Sequence, residues 1–383
     1  MARPGLGSTL RREVAAWRRD PWQLALVSWL PLLLFGALAW IFSAGIVTDV
    51  GVGVVDLDGS RLSRTFVRAL DATPTLRVVS RPLSALEGRR ALSNAELGAV
   101  VVIPADFEEN VRQGLQPRVT AFYNGQFILV GKAVAAALAQ VHGTVAATVD
   151  GARALARGIP PAGAEGAAAP LTPQITPLYN VSMNYALFLV PAILPALWQV
   201  VMIVGMINAL GRELREDTWD RWLEAGPLRA FAGKMLPYVA VYLAMGALLL
   251  GSAPLAGWPV RGSWTLLLGA AALTALATAV MAGALFVAVR DSARALSLAA
   301  AYTAPSFAFL GITFPADNMP GLARLWRSLI PVSHYMDVQV LEMSRAAPLS
   351  AAAPHLGALV LFLVVLPLVL VRLGAPSGSE AGA

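Results

Sequence analysis

The pattern of apolar and polar positions divides the chain into six long apolar runs and one long mixed segment. Each run has about the 20 residues that an α-helix needs to cross a bilayer, and none carries Asp, Glu, Lys or Arg in its middle. The predicted spans are Trp22 to Ser43, Tyr185 to Leu210, Met235 to Gly257, Trp264 to Val289, Leu296 to Phe314 and Leu356 to Val371. The pattern therefore predicts an α-helical polytopic membrane protein with six transmembrane helices.

The segment between the first two spans, residues 44–180, has a mixed pattern. Short β-rich runs predict strands at 50–55, 76–79, 97–103 and 118–123. Helical patterns fall at 60–70, 83–92 and 127–156, and a further short helix opens at Pro104-Ala-Asp106. We expect an inserted α/β domain on a helical stalk, followed by a Gly/Ala/Pro-rich linker at 158–177.

Composition supports the membrane assignment, because 57% of the residues are hydrophobic and only 14% are charged. The mean hydropathy of +0.64 excludes a wholly soluble protein. The net charge of +6 is concentrated beside the spans, with arginines in 1–21 and in the loop 211–234. By the positive-inside rule both regions are cytoplasmic, so this charge requires no nucleic-acid partner.

This orientation places both termini, including the tail 374–383, in the cytoplasm, and the inserted α/β domain outside it. A second outer segment, 312–354, is too polar to span and predicts a re-entrant structure within the five-helix region 181–373. We expect a multi-pass protein of a bacterial cytoplasmic (inner) membrane.

Several kinds of chemistry have no support in the sequence. There is no cysteine, and the three histidines, His142, His334 and His355, are far apart in the chain, so we expect no metal site, no catalytic residues and no bound cofactor. Neither Gly131-Lys132 nor Gly233-Lys234 has the spacing of an ATP-binding phosphate loop. Ion-coupled transport is disfavoured because the spans lack ionisable residues in their middles.

Neutral polar residues do occur inside the predicted spans. They either form hydrogen bonds between helices, which is the favoured interpretation, or contact a substrate along its path. These residues are Gln199, Asn208, Thr274, Thr278 and Ser306.

Residues 1–21 predict a cytoplasmic amphipathic helix at the membrane surface. Leu6, Leu10, Val14 and Trp17 follow helical spacing and form one apolar stripe, with arginines on the other side. This helix either anchors the chain in the headgroups or also contacts a partner.

The loop 211–234 contains a run of carboxylates. Glu213, Asp217, Asp220 and Glu224 recur at spacings of four, three and four, which places them on one face of a continuous helix. Arg212, Arg215, Trp219 and Trp222 fall on the opposite face, where the tryptophans would lie in the headgroups. The acidic face is either solvated or a docking surface for a basic partner.

Short motifs in this order resemble a known family. They are Val54-Val-Asp-Leu-Asp-Gly-Ser60, Val101-Val-Ile-Pro-Ala-Asp-Phe107, Tyr179-Asn180, Gly226-Pro227, Gly233-Lys-Met-Leu-Pro-Tyr238, and Phe314-Pro315 with Met319-Pro320 and Pro331. Together with the order of spans, they resemble the permease subunits of type-2 ATP-binding-cassette (ABC) exporters over nearly the whole chain. The sequence departs from that family at Asp217-Thr218, where the family usually has Glu before Gly-Thr.

The resemblance implies a permease, not an enzyme, that works with a cytoplasmic ABC ATPase binding ATP and Mg. It also implies a second permease subunit, identical or different, a lipid membrane and, in some systems, a periplasmic adaptor. The substrate would be apolar or amphipathic: a drug, a lipid or a lipid-linked molecule. Contacts to the ATPase would come from Glu213, Asp217, Thr218, Asp220, Glu224, Pro227, Gly233 and Lys234. The alternative is a membrane-anchored sensor or assembly protein whose outer domain binds a ligand or partner.

Overall fold

The computed structural model describes residues 5–156, 180, 184–258, 260–312 and 314–375. The predicted linker 158–177, Tyr179 and most of the tail 374–383 lie outside the described residues. Contacts divide the chain into two compact units. The helical unit comprises Met1–Ser43 and Leu187–Ala383, and the α/β unit comprises Ala44–Ala186.

The α-helices and strands follow one another in this order: α1 (Leu6–Trp17), α2 (Pro21–Leu26), α3 (Trp29–Ile41), β1 (Val50–Asp56), α4 (Arg61–Asp71), β2 (Leu76–Ser80), α5 (Ala85–Ser93), β3 (Ala99–Ile103), α6 (Phe107–Arg112), β4 (Thr120–Tyr123), α7 (Ile128–Ala156), α8 (Tyr185–Arg215), α9 (Trp219–Leu223), α10 (Pro227–Ser252), α11 (Trp264–Val289), α12 (Ser292–Thr303), α13 (Ser306–Phe309), α14 (Gly321–Ser328), α15 (Pro331–Val340), α16 (Leu349–Leu361) and α17 (Leu366–Gly374). A 3-10 turn, Phe362–Val365, joins α16 to α17.

The α/β unit is built on a four-stranded sheet in the order β2-β1-β3-β4. The central strand β1 pairs in parallel with β2 and with β3, and β4 runs antiparallel to β3. Side chains alternate across β1, because Val52 and Val54 pack with α4 and α7 while Val55 packs on the other face with residues of α5. Every strand and helix predicted here is confirmed to within a few residues.

In the helical unit, four stretches among the described residues are long and apolar enough to cross a membrane. They are Ala186–Arg215, Pro227–Ala256, Trp264–Val289 and Leu349–Gly374. They correspond to the predicted second, third, fourth and sixth spans. Their small and aromatic side chains form one continuous core with α2, α3, α12 and α15.

The predicted first and fifth spans are not single helices, and proline accounts for both interruptions. A proline lacks the backbone N–H that would bond the carbonyl four residues earlier, and its ring clashes with that carbonyl. Accordingly α2 ends at Leu26, just before Val27, which lies four residues before Pro31, and α12 ends at Thr303, just before Pro305. At 1.5 Å per residue, α3 and α12 are each about 20 Å long, short of the roughly 30 Å hydrocarbon core. Six spans stay a prediction.

Candidate functional site

Helix α1 packs closely against the start of α10. A Cβ atom built at Gly233 would lie 2.8 Å from Cβ of Thr9 and 3.0 Å from the carbonyl oxygen of Leu6. Only glycine permits this approach without displacement of one helix. The buried residues of α1 are Thr9 and Glu13, so the face of the helix that packs into the unit carries polar side chains.

Glu13 is the centre of a buried ion-pair cluster. Its carboxylate accepts hydrogen bonds from Lys234 Nζ at 2.7 Å, from Tyr238 Oη at 2.6 Å and from the guanidinium of Arg212. The side chains of Glu13 and Lys234 are fully buried. The carboxylate therefore ties α1 to the end of α8 and to the first turns of α10.

Glu213 extends the same cluster. Its carboxylate lies 2.7 Å from Lys234 Nζ and 2.5 Å from Arg12 Nη2, and it accepts a hydrogen bond from Thr218 Oγ1 at 2.6 Å. Lys234 also donates to the carbonyl oxygen of Ala209 at 3.1 Å. We call Arg12, Glu13, Arg212, Glu213 and Lys234 the ion-pair cluster.

The electrostatics of the cluster keep Glu13 ionised. Burial by itself would raise the pKa of this carboxyl, but Lys234 and Arg212 beside it hold the pKa below its ordinary value of 4.5. Removing one member of a buried ion pair typically costs about 3–5 kcal/mol, because the remaining charge is left without compensation. The cluster therefore favours one fixed arrangement of α1, α8 and α10.

The exposed part of the loop 211–234 follows Glu213 directly in the chain. Asp217 adopts a left-handed conformation, φ 52°, just after α8, and the five-residue helix α9 begins two residues later. Trp222 is 2% exposed and donates through Nε1 to the carbonyl oxygen of Ala230 at 3.0 Å. Trp219 stacks on Phe286 of α11, with ring centroids 6.1 Å apart. The helix α9 is thus fastened to the bundle by its tryptophans.

The structure corrects two features of the predicted loop. The four carboxylates do not share a helix face, because the chain turns at Asp217 between α8 and α9; Glu213 is buried, whereas Asp217, Asp220 and Glu224 are exposed. The tryptophans pack inside the protein and do not form a headgroup face. Of the other predicted coupling residues, Gly233 and Lys234 are buried, and Thr218 and Pro227 are half-buried.

The predicted apolar stripe of α1 is not the face that packs into the helical unit. Leu10 is half-buried, Val14 and Leu6 are exposed, and Trp17 reaches inward, where its Nε1 donates to Tyr238 Oη at 2.9 Å. Sequence reasoning missed Glu13. The signal was its position three residues after Leu10 and four before Trp17, which places one carboxylate beside the stripe.

The five neutral residues of the predicted spans are in part helix-to-helix contacts. Gln199 Oε1 accepts from the backbone N–H of Val332 at 2.7 Å, and Asn208 Nδ2 donates to Gln23 Oε1 at 2.8 Å. Thr274 donates to the carbonyl oxygen of Ala270 in its own helix. The hydroxyls of Thr278 and Ser306 are buried without a hydrogen-bond partner among the described residues.

An apolar pocket lies between α8, α10 and α15. Its walls include Pro195, Trp198, Leu249 and Tyr335, and its volume is about 40 Å³. Sites for drug-sized ligands enclose roughly 300–1,000 Å³, so the pocket is closed to such a ligand in this conformation. None of the five predicted path residues lines it.

The fold also brings together two histidines that are distant in sequence. His355 Nδ1 lies 3.1 Å from Asp337 Oδ2, and the ring centroids of His334 and His355 are 6.3 Å apart. Ligand atoms of His334, Asp337 and His355 lie within 4.8 Å of one another. However, Arg327 already binds both carboxylate oxygens of Asp337, at 2.6 and 2.7 Å, and its charge opposes a cation there.

Among the described residues, four helices are long and apolar enough to cross a membrane, which indicates a multi-pass membrane protein. Residues 21–372 match the family model described as ABC-2 family transporter protein, and the chain belongs to this family. No curated protein and no solved structure matches the chain. Membership identifies a permease of an ABC transporter, a transport component embedded in the membrane, and implies a cooperating ATPase subunit.

Proposed function

We propose that the chain forms the translocation path of an ATP-driven exporter and that a separate cytoplasmic ATPase docks on α9. The observation that carries the proposal is the two-sided character of α9. Its tryptophans are packed into the bundle, while Asp220 and the flanking Asp217 and Glu224 are exposed and have no ion-pair partner among the described residues. The acids therefore form an accessible surface on a short helix whose tryptophans are packed against the bundle.

The contacts behind α9 suit it to transmit movement. Thr218, which immediately precedes α9, is hydrogen-bonded to Glu213, and Glu213 belongs to the ion-pair cluster that joins α1, α8 and α10. A displacement of α9 by a partner would therefore act on three helices together. Family membership favours this exporter permease over a membrane-anchored sensor or assembly protein.

The substrate we propose is apolar or amphipathic: a drug, a lipid or a lipid-linked molecule. The support is the apolar wall of the pocket between α8, α10 and α15, in which Gln339 is a polar exception whose Nε2 donates to the carbonyl oxygen of Pro191. Because the pocket holds only about 40 Å³, a substrate of drug size could enter it only if these helices separate. We propose that this happens in a dimer with a second permease subunit.

The proposed orientation places 44–180 outside the cytoplasm of a bacterial cell and both termini inside. Gly125 is exposed, and no described residue has an atom within 4 Å of an added Cβ, so Gly125→Cys introduces one accessible thiol into a chain that has no cysteine. It should react with an impermeant maleimide in intact spheroplasts. The control, Arg229→Cys, should react only after lysis. Labelling of Gly125→Cys only after lysis contradicts the orientation.

The docking proposal is tested with Asp217→Asn, Asp220→Lys and Glu224→Lys combined. Asn is used at 217 because it tolerates the left-handed conformation. If α9 faces a basic surface of the ATPase, attraction becomes repulsion, and co-purification of the ATPase at physiological salt should be lost. The control makes the same change in charge on the α/β unit: Glu87→Gln, Glu96→Lys and Glu109→Lys, which should leave recovery unchanged.

Two results would contradict the proposal. Undiminished recovery of the ATPase with the α9 variant would show that α9 is not the docking site. Failure of the unaltered chain to co-purify with any phosphate-loop ATPase, or ATP turnover by the purified chain alone, would contradict a separate ATPase.

A further inference from the structure

A polar cleft opens beside the ion-pair cluster, between α1, the start of α2 and the end of α8. Its volume is about 800 Å³. Five arginines line it: Arg12, Arg19, Arg212, Arg215 and Arg221. Its three carboxylates belong to Asp20, Glu213 and Glu216. Five guanidinium groups against three carboxylates leave an excess of two positive charges around one cavity.

The pairing of these groups shows where the excess lies. Arg12 and Arg212 are bound to carboxylates of the cluster, and Arg215 donates to Asn208. By contrast, the guanidinium groups of Arg19 and Arg221 have no ion pair or hydrogen bond within the described chain. Arg212 also lines the cleft, and its Nη1 is buried without an acceptor among the described residues. An anion in this cleft would find donors without displacing existing pairs.

The rim of the cleft is suited to a molecule with apolar chains. Trp22 lines the cleft and is 72% exposed, and the next turns of the chain expose Leu24 and Trp29. Tryptophan favours the boundary between headgroups and hydrocarbon, and a large exposed apolar side chain there is expected to contact lipid. The cleft therefore joins a basic cavity to an apolar surface.

We propose that this cleft binds the phosphate headgroup of an anionic phospholipid. A phosphate diester offers charged acceptors that match guanidinium donors, and basic pockets beside transmembrane helices are suited to such headgroups. The inference rests on the membrane embedding that the family implies and does not depend on ATPase docking. The positive-inside rule accounts for arginines in these segments, but not for their convergence on one cavity with unpaired donors.

The experiment measures binding to the full chain in a zwitterionic detergent. The probes are short-chain phosphatidylglycerol, short-chain phosphatidylcholine and inorganic phosphate, and binding is followed as the rise in the thermal unfolding midpoint with ligand concentration. We expect saturable stabilisation by phosphatidylglycerol alone, weakened by added salt because the attraction is electrostatic.

The test variant combines Arg19→Gln with Arg221→Gln, which removes the two unpaired charges and keeps side chains of similar polarity. Its affinity for phosphatidylglycerol should fall roughly thirtyfold, as expected for two arginine contacts to an anionic headgroup. The control combines Arg18→Gln with Arg229→Gln. Both arginines are exposed, neither lines the cleft, and their loss removes the same charge from the same two segments.

Each outcome decides the proposal. Loss of phosphatidylglycerol binding in the test variant, with binding retained in the control variant, supports the proposal. Equal losses in both variants would show attraction to general surface charge and overturn it. Saturable stabilisation by inorganic phosphate at the same concentrations would show that the cleft binds a free anion and would overturn the proposal of a lipid. Unchanged phosphatidylglycerol binding with loss of ATPase recovery would assign the arginines to the protein partner.

Discussion

Two groups of charged residues are neighbours in the sequence of the helical unit and have opposite surroundings. Glu213 is enclosed by Lys234, Arg12 and Thr218 at distances of 2.5 to 2.7 Å. Asp217, four residues later, is exposed, as are Asp220 and Glu224. The backbone turn at Asp217 separates them, because it ends α8 before the next turn of helix could continue the same face.

This difference in burial gives carboxylates in the same loop different roles. A carboxylate removed from water is stable only with paired cations, so Glu13 and Glu213 fix how α1, α8 and α10 pack. A carboxylate in water contributes little to folding, so the acids around α9 are free to serve a partner. Charge in the loop is thus structural on one side of Asp217 and available for binding on the other.

The largest expected effect is that of Glu13→Gln. The variant leaves Arg12, Arg212 and Lys234 with Glu213 as the one carboxylate of the ion-pair cluster, and the free energy of unfolding should fall by about 3–5 kcal/mol. The measurement is the thermal unfolding midpoint in detergent. A second readout uses Thr9→Cys, whose buried thiol should react faster with maleimide when α1 separates from α10.

A matched variant, Lys234→Met, sharpens this prediction. It leaves two carboxylates with two arginines, since Glu13 keeps Arg212 and Glu213 keeps Arg12. The cost should be that of lost charged hydrogen bonds, about 2 kcal/mol. If Lys234→Met destabilises the protein as much as Glu13→Gln, charge balance is not what holds the cluster together.

A smaller effect is expected from Gly233→Ala, which leaves every charge in place. The added methyl group would lie 2.8 Å from Cβ of Thr9 and 3.0 Å from a backbone oxygen, so α1 must shift. Overpacking of this kind costs about 1–3 kcal/mol. Labelling of Thr9→Cys should accelerate in this variant too, whereas Gly143→Ala on α7, where space is open, should have no effect.

The two units differ in how far the sequence predicts them. In the α/β unit, strand patterns with a period of two residues alternate with helix patterns with a period of 3.6 residues, and turn residues separate them. Each strand and helix forms where its pattern indicates. In the helical unit nearly every position of a span is apolar, so periodicity carries no information on where a helix breaks. The interruptions before Pro31 and Pro305 depend on proline geometry, and hydropathy alone extends both spans across them.

For the candidate site, the sequence showed the run of acids in the loop 211–234 but not which of them are buried. Helical spacing could not show that Glu213 turns inward, because its partners are Arg12 and Lys234, which are about 200 and 20 residues away in the chain. The histidine pair was missed for the same reason. Separation in sequence says nothing about distance once helices pack side by side.

The pH dependence tests whether the buried carboxylates are ionised. The pKa of Glu13 is lowered on folding, so its contribution to stability is present above its ordinary value of 4.5 and is lost as pH falls through the lower folded value. The difference in unfolding midpoint between the unaltered chain and Glu13→Gln should stay constant from about pH 7 to 5 and shrink below about 4.5. A difference that shrinks already near neutral pH would mean that burial outweighs the cations.

The smallest effect on folding is expected from changes to the exposed acids around α9. Neutralising Asp217, Asp220 and Glu224 together, as Asn, Asn and Gln, removes three carboxylates that have no ion-pair partner among the described residues. Exposed substitutions of this kind change the free energy of unfolding by less than about 0.5 kcal/mol. The unfolding midpoint in detergent and the reactivity of Thr9→Cys should therefore match those of the unaltered chain. A loss of stability as large as that expected for Glu13→Gln would show that the acids around α9 also stabilise the fold. It would then remove the distinction between buried and exposed acids on which the proposal that α9 binds a partner depends.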